Sequence, residues 1–168
     1  MVSNDRIRYI NLSRNKLVGS IPEFSNRTRL YYINLRNNNL TGFSGFNSLP
    51  SLRFLYIHNN SGITGPIPNL SDSASNLRRF YAYNCNFSSY TSGSFAGLER
   101  IDRIILSNNA LSESDLNNII TDLHTMYENT NRSRVRVNLR NQSGAPNYNP
   151  RSSADGGSSV EDRIRTYI

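Results

Sequence analysis

The chain has 168 residues and a formal net charge of +7, carried by 18 Arg beside a single Lys (Lys16), with 25 Asn. That length is one compact unit, and a positive excess made almost wholly of guanidinium points to acidic partners. The lone cysteine, Cys85, excludes an internal disulfide. No apolar run exceeds four residues, where a helix crossing a bilayer needs about 20.

The opening MVSNDRIRYI lacks the long apolar stretch of a signal peptide. A first repeat follows at once, with Ile7, Ile10, Leu12, Asn15 and Leu17 in the pattern L-x-x-L-x-L-x-x-N-x-L over 7–17. Nothing ahead covers its edge, so the expectation is a piece of a longer chain, because solenoid ends need a cap. The pattern returns in full at 30–40 (Leu30, Ile33, Leu35, Asn38, Leu40). It returns at 52–63 (Leu52, Leu55, Ile57, Asn60, Ile63), where Gly62 is one extra residue. The next two lie at 77–87 (Leu77, Phe80, Ala82, Cys85, Phe87) and 101–111 (Ile101, Ile104, Leu106, Asn109, Leu111). The fixed polar place thus falls at Asn15, Asn38, Asn60, Cys85 and Asn109, a period of 22 to 25, and such a period is that of leucine-rich repeats.

The reading is therefore an α/β repeat fold, one right-handed solenoid occupying 1–111 and closed by a cap at 112–168. Apolar places stack on their equivalents in the next turn and build a core that no single repeat could bury. The L-x-L pair lies on a short parallel strand of the concave face, its side chains alternating core and solvent. The Asn amide, with two donors and an acceptor, suits backbone groups where the chain leaves the strand. Cys85 in that slot offers only a weak donor and reads as structural. The convex crossings GSIPEF (19–24) and GPIPNL (65–70) should be extended, since proline disfavours helix there. Phe24, Phe46, Leu70 and Phe95 recur midway through the crossings as a second apolar column.

After Leu111 the period changes. Ser112-Glu-Ser-Asp115 is a helix start, and Leu116, Ile119, Ile120, Leu123 and Tyr127 place a helix over 113–128. Alternating Val135, Val137 and Leu139 predict a strand over 134–140, with Gln142 in the slot of the repeat Asn. A Gly/Ser/Pro loop spans 143–159, and Val160, Ile164 and Tyr167 begin a short helix from 160.

The GxIP crossings and the LxxLxLxxNxL strands resemble plant-type extracellular leucine-rich repeats. Those versions usually carry paired cysteines in their caps, and this chain has none. The stretch NFSSYTSGSFAGLERIDRIILSNNALSESDLNNIITDL (86–123), with the strand and APN loop after it, resembles the terminal repeats of leucine-rich repeat proteins of marine tailed phages. That resemblance spans roughly residues 7–168 and lacks only an N-terminal cap and the closing strand after the last helix. It implies a virion surface protein of the tail-fibre or decoration kind, working by host recognition. The plant likeness implies an extracellular receptor-type domain instead.

The solvent-facing strand places read Tyr9, Asn11, Ser13; Tyr32, Asn34, Arg36; Phe54, Tyr56, His58; Arg79, Tyr81, Tyr83; Arg103, Ile105, Ser107; and Arg136, Asn138, Arg140. Tyr9, Tyr32, Phe54, Tyr56, Tyr81 and Tyr83 form an aromatic band, with Arg36, His58, Arg79 and Arg103 along it. Tyr and Arg are enriched where proteins bind, so this band is the expected contact surface. The partner would be a virion neighbour or host-surface protein, with a surface glycan as the other choice. The same band also reads as cross-strand packing that only stabilises the sheet. An oligomer could arise through a parent assembly. The arginine strand 132–140 would suit phosphates, but no nucleic-acid fold accompanies it.

Catalysis finds no footing. His58 and His124 lie on different elements; there is no metal-ligand cluster, no G-x-S-x-G and no phosphate-binding loop. The expectation is a non-catalytic module without metal or cofactor.

Overall fold

The structure, a computed structural model, describes residues 6–24, 27–43, 46, 48–130 and 135–146, together with the backbone of 164–166. Its frame is one parallel sheet to which each turn contributes a strand. In order across the sheet these are β1 (Tyr9–Asn11), β3 (Tyr32–Asn34), β5 (Phe54–Tyr56), β7 (Arg79–Tyr81), β9 (Arg103–Ile105), β10 (Val135–Asn138) and β11 (Ile164–Thr166). The register never slips from β1 to β10: Tyr9 faces Tyr32, Tyr32 faces Phe54, Phe54 faces Arg79, and Arg79 faces Arg103. Arg103 in turn faces Arg136. With a side-chain period of two, a one-residue slip would turn every apolar residue to solvent. The buried central residues Ile33, Leu55, Phe80, Ile104 and Val137 therefore hold the register.

The crossings return through shorter strands. β2 (Val18–Ser20) pairs with β4 (Asn39–Gly42), and β6 (Thr64–Ile67) pairs with β8 (Asn86–Tyr90). Gly19 and Gly65 head these crossings at φ +82 and +83, a left-handed conformation that residues with a Cβ adopt at a cost. Between the two layers the apolar columns are stacked and closed. Leu30, Leu52, Leu77 and Ile101 are buried, as are Leu40, Ile63, Phe87 and Leu111. The second column is continuous too: Phe46, Leu70 and Phe95 are buried, and Phe24 packs on Phe46 with ring centroids 5.6 Å apart. At the β1 edge the equivalent residues stay open, with Ile7 38%, Leu12 45% and Leu17 37% exposed.

The buried asparagines of the fixed slot, Asn38, Asn60 and Asn109, each sew two turns together. The Asn60 amide donates to the carbonyls of Leu35 (3.0 Å) and Ile57 (2.8 Å), while its oxygen accepts from Leu40 N–H (3.2 Å). Asn38 and Asn109 repeat the scheme, and Gln142 reproduces it with Leu106, Leu139 and Leu111. These bonds satisfy backbone groups that a buried turn would otherwise leave unpaired. Asn15 is exposed and bonds only within its own turn, to the Leu12 carbonyl at 3.0 Å.

The helix α1 (Glu113–Thr130) packs Leu116, Ile119, Leu123, Met126 and Tyr127 inward. Its start is a box in which Ser112 Oγ accepts from Asp115 N–H (3.2 Å) and an Asp115 carboxyl oxygen accepts from Ser112 N–H (2.9 Å). A short helix was expected from residue 160, but Ile164–Thr166 forms a strand parallel to β10, Val135 facing Ile164. Ile and Thr are β-branched and favour extended backbone, and the free edge of β10 supplies the hydrogen bonds. The other residues of that expected helix, and most of the loop expected at 143–159, lie outside the described residues.

Candidate functional site

The outward face of the seven-stranded sheet carries three rows of side chains in strict register. The first runs Tyr9, Tyr32, Phe54, Arg79, Arg103, Arg136. It is aromatic for three strands and guanidinium for the next three. Tyr9 and Tyr32 stack with centroids 4.3 Å apart and planes 8° apart. The change of chemistry is made by contact, the Arg79 guanidinium lying over the Phe54 ring at 5.7 Å from its centroid, a cation–π arrangement.

The second row runs Asn11, Asn34, Tyr56, Tyr81, Ile105, Asn138. Asn34 donates to the Tyr32 hydroxyl (3.2 Å) and Tyr56 meets Tyr81 at 4.9 Å between centroids. Arg103 donates to the Tyr81 hydroxyl (3.4 Å), tying the second row to the first. Burial raises the Tyr56 phenol above its usual range, against the lowering pull of Arg79. Tyr32 is raised by burial also, although the Asn34 bond opposes it.

The third row holds Arg36, His58 and Tyr83. His58 is only 4% exposed and stacks on Tyr83 at 4.3 Å. It lies beneath the face, while Tyr83 above it is half-buried. Its Nδ1 and the Nε of Arg36 are both buried without a hydrogen-bond partner. Burial, and next the Arg36 guanidinium, hold the imidazole down at about 4.

The sequence-predicted contact residues are thus brought together on one surface, with His58 as the one that is covered. Arg136 and Arg140 belong to the same surface and extend it; their signal was the alternation of residues 134–140. The outward places of the described strands contain Arg36, Arg79, Arg103, Arg136 and Arg140 and no carboxyl side chain. A depression of about 280 Å³ lies between β9 and β10, lined by Arg103, Ile104, Ile105, Arg136, Val137 and Asn138.

Cys85 is buried, its thiol pushed up to about 12 by burial, and donates weakly to the Ile57 carbonyl (3.6 Å). His124 sits elsewhere, on α1, 3.5 Å from Glu128. Among the described residues no group of His, Cys, Asp and Glu is placed to hold a metal, and no helix is long and apolar enough to cross a membrane.

A family model described as Leucine Rich Repeat matches residues 6–26. Receptor like protein 28 of Arabidopsis thaliana is 37% identical over 87 residues, 49% of this chain. The chain spans only 11% of that relative's length. The matched repeat and the parallel-strand solenoid agree in their likeness to leucine-rich repeat proteins. Neither match supports the tailed-phage likeness expected from residues 86–123.

Proposed function

We propose that this chain recognises a protein partner through the outward face of its seven-stranded sheet, by shape and stacking and not by covalent chemistry. The observation that carries this is the row Tyr9, Tyr32, Phe54, Arg79, Arg103, Arg136, held in register by a rigid core. Large aromatic groups and guanidiniums combine apolar area with directional donors, and both are prefixed here by the strands beneath them.

The test is affinity capture on the immobilised chain, followed by binding measurements on variants. Alanine at Tyr32, Tyr56, Tyr81 and Tyr83 should weaken binding at least tenfold; Tyr9→Ser, at the open edge, keeps a readout should the quadruple variant unfold. Unchanged affinity in both, with the fold intact, would make the aromatic rows a purely structural ladder. Affinity that falls steeply with salt and follows DNA length would transfer the face to nucleic acid.

As for location, the reading is a virion surface, supported by the resemblance of 86–123 to tailed-phage terminal repeats. The runner-up is a cellular extracellular receptor-type domain, supported by the Arabidopsis relative. Electron microscopy of particles labelled with antibody against the native chain separates them. Label at fibre tips or on the head would support the first reading, and absence of label the second.

A further inference from the structure

We infer that the partner presents an acidic polypeptide segment, seated on the arginine half of the sheet face, with an aromatic or apolar stretch of the same segment on the tyrosine half. This rests on the reading of that face as the partner surface.

Three observations converge. First, Arg79, Arg103 and Arg136 are direct cross-strand partners. Like charges placed side by side destabilise a sheet, so the arrangement is costly to the free protein and is relieved by a bound anion. Second, among the described residues none of the three has a carboxyl partner. The Arg103 side chain donates to the Tyr81 phenol (3.4 Å), and Arg79 overlies the Phe54 ring beside the Tyr56 phenol, whose titration it pulls down. Their remaining donors stand available, and a guanidinium fork matches a carboxylate in two parallel bonds. Third, the depression between β9 and β10 is lined by Arg103 and Arg136 together with Ile105 and Asn138. It offers an apolar wall for a side-chain stem and an amide beside the charge.

Geometry narrows the ligand. Strands about 4.8 Å apart set the outer two arginines of the row about 10 Å from each other, and an extended chain rises about 3.3 Å per residue. Two carboxylates three residues apart therefore span the row, with an aromatic residue further along reaching Phe54 and Tyr32. The half-and-half row distinguishes such a segment from a uniform polyanion. Nucleic acid or a sulfated glycan would carry its charge past Tyr9, Tyr32 and Phe54, where no cation of the first row answers it.

The test uses the whole chain and three fluorescein-labelled dodecapeptides. One carries Tyr-x-x-Tyr followed by Glu-x-x-Glu; the second replaces each Glu by Gln; the third is a scramble of the first with acids and aromatics interleaved. Anisotropy should show the first binding at least tenfold more tightly than either other. Arg103→Gln with Arg136→Gln should remove that preference, while Arg29→Gln with Arg100→Gln, equal in charge but off the row, should keep it. Equal affinity for the ordered and scrambled peptides would overturn the inference. So would tighter binding of a single-stranded 12-mer DNA or a heparin dodecasaccharide than of the first peptide. If the captured partner is lost by the tyrosine variants and retained by Arg103→Gln/Arg136→Gln, this inference fails and the proposed function stands. If neither set affects capture, the proposed function itself has failed.

Discussion

Tyr90, at the end of β8, donates its phenolic hydrogen to the carboxyl group of Asp122 in the middle of α1. The same carboxyl accepts from Gly93 N–H (2.8 Å) and Phe95 N–H (3.3 Å), and Asp115 one turn into the helix accepts from Tyr90 N–H (2.8 Å). Two acids seven residues apart thus clamp the crossing 90–95 to α1, the helix that joins β9 to β10.

Asp122→Ala should therefore cost about 3 kcal/mol, because three donors, two of them buried, lose their acceptor at about 1 kcal/mol each. Tyr90→Phe removes one bond and should cost about 1 kcal/mol; urea unfolding measures both. Burial first, and then the Asp122 bond, raise the Tyr90 phenol far above its usual value near 10. The folded value is the higher one, so this contribution is complete below about pH 10 and is lost as pH rises beyond it. Stability should fall above pH 10 in the natural protein and less steeply in Tyr90→Phe. Equal slopes would show that Tyr90 titrates freely.

The reach of sequence reasoning follows the physics of each part. A solenoid repeats one local solution, so Leu30, Ile33 and Leu35 announce their partners in every later turn, and alternation along each strand separates core from face. Phe24, Phe46, Leu70 and Phe95 were legible for the same reason. The clamp at Asp115 and Asp122 was not, since it joins a repeat to a helix outside the period. Its one trace is a pair of acids on the apolar stripe of Leu116, Ile119 and Leu123. The strand Ile164–Thr166 was missed because Val160, Ile164 and Tyr167 fit a helical period, while the decisive fact is the free edge of β10. That His58 lies beneath the face was hidden too, because alternation says which way a side chain points and not whether Tyr83 stacks over it.

His58 gives a second, acid-side prediction. Its folded value of about 4 lies below the ordinary 6.5 because of burial and then Arg36. The lower folded value means that the neutral ring's contribution is complete above about pH 6.5. It is lost as pH falls toward 4, by at most about 3 kcal/mol. His58→Phe retains a ring against Tyr83 and removes the unpartnered Nδ1. Its stability should be within about 1 kcal/mol of the natural protein at pH 8 and should decline less between pH 6.5 and 4. Parallel curves for the two proteins would show that the imidazole is protonated in the folded state.

A row of asparagines runs beside the fixed slot. Asn37, Asn59, Asn84 and Asn108 each hold a left-handed backbone, φ +50 to +58. Each amide after Asn37 donates to the side-chain oxygen of the asparagine one turn earlier: Asn59 to Asn37 (2.6 Å), Asn84 to Asn59 (2.7 Å) and Asn108 to Asn84 (2.6 Å). Asparagine tolerates this conformation, whereas alanine is strained in it by about 1–2 kcal/mol. Asn59→Ala loses two links and gains strain, about 2 kcal/mol in all, while Asn59→Gly loses the links without the strain and should cost about half as much. Thermal unfolding of the pair decides it, and a glycine variant worse than the alanine one would refute the argument.

Cys85 and Gly62 are two parts of one irregularity. In the other turns the slot residue accepts from the last apolar N–H of the turn before: Asn38 from Leu17, Asn60 from Leu40, Asn109 from Phe87 and Gln142 from Leu111. At Cys85 the corresponding donor is Ile63 N–H, which instead bonds the Asn60 carbonyl in its own turn at 3.0 Å. The extra residue Gly62 lengthens the turn that this Ile63-to-Asn60 bond closes, and a Cβ there would stand 2.8 Å from the Leu40 carbonyl oxygen. A sulfur that needs no donor can occupy the slot; an amide oxygen would be buried without one. Restoring the repeat by Cys85→Asn should therefore destabilise the protein by about 1–2 kcal/mol despite its new bond to Ile57, since a stranded acceptor costs about that much. Deleting Gly62 in the same chain should return Ile63 N–H to the slot and recover most of the loss. Cys85→Asn alone raising the melting temperature would show the two changes to be unrelated.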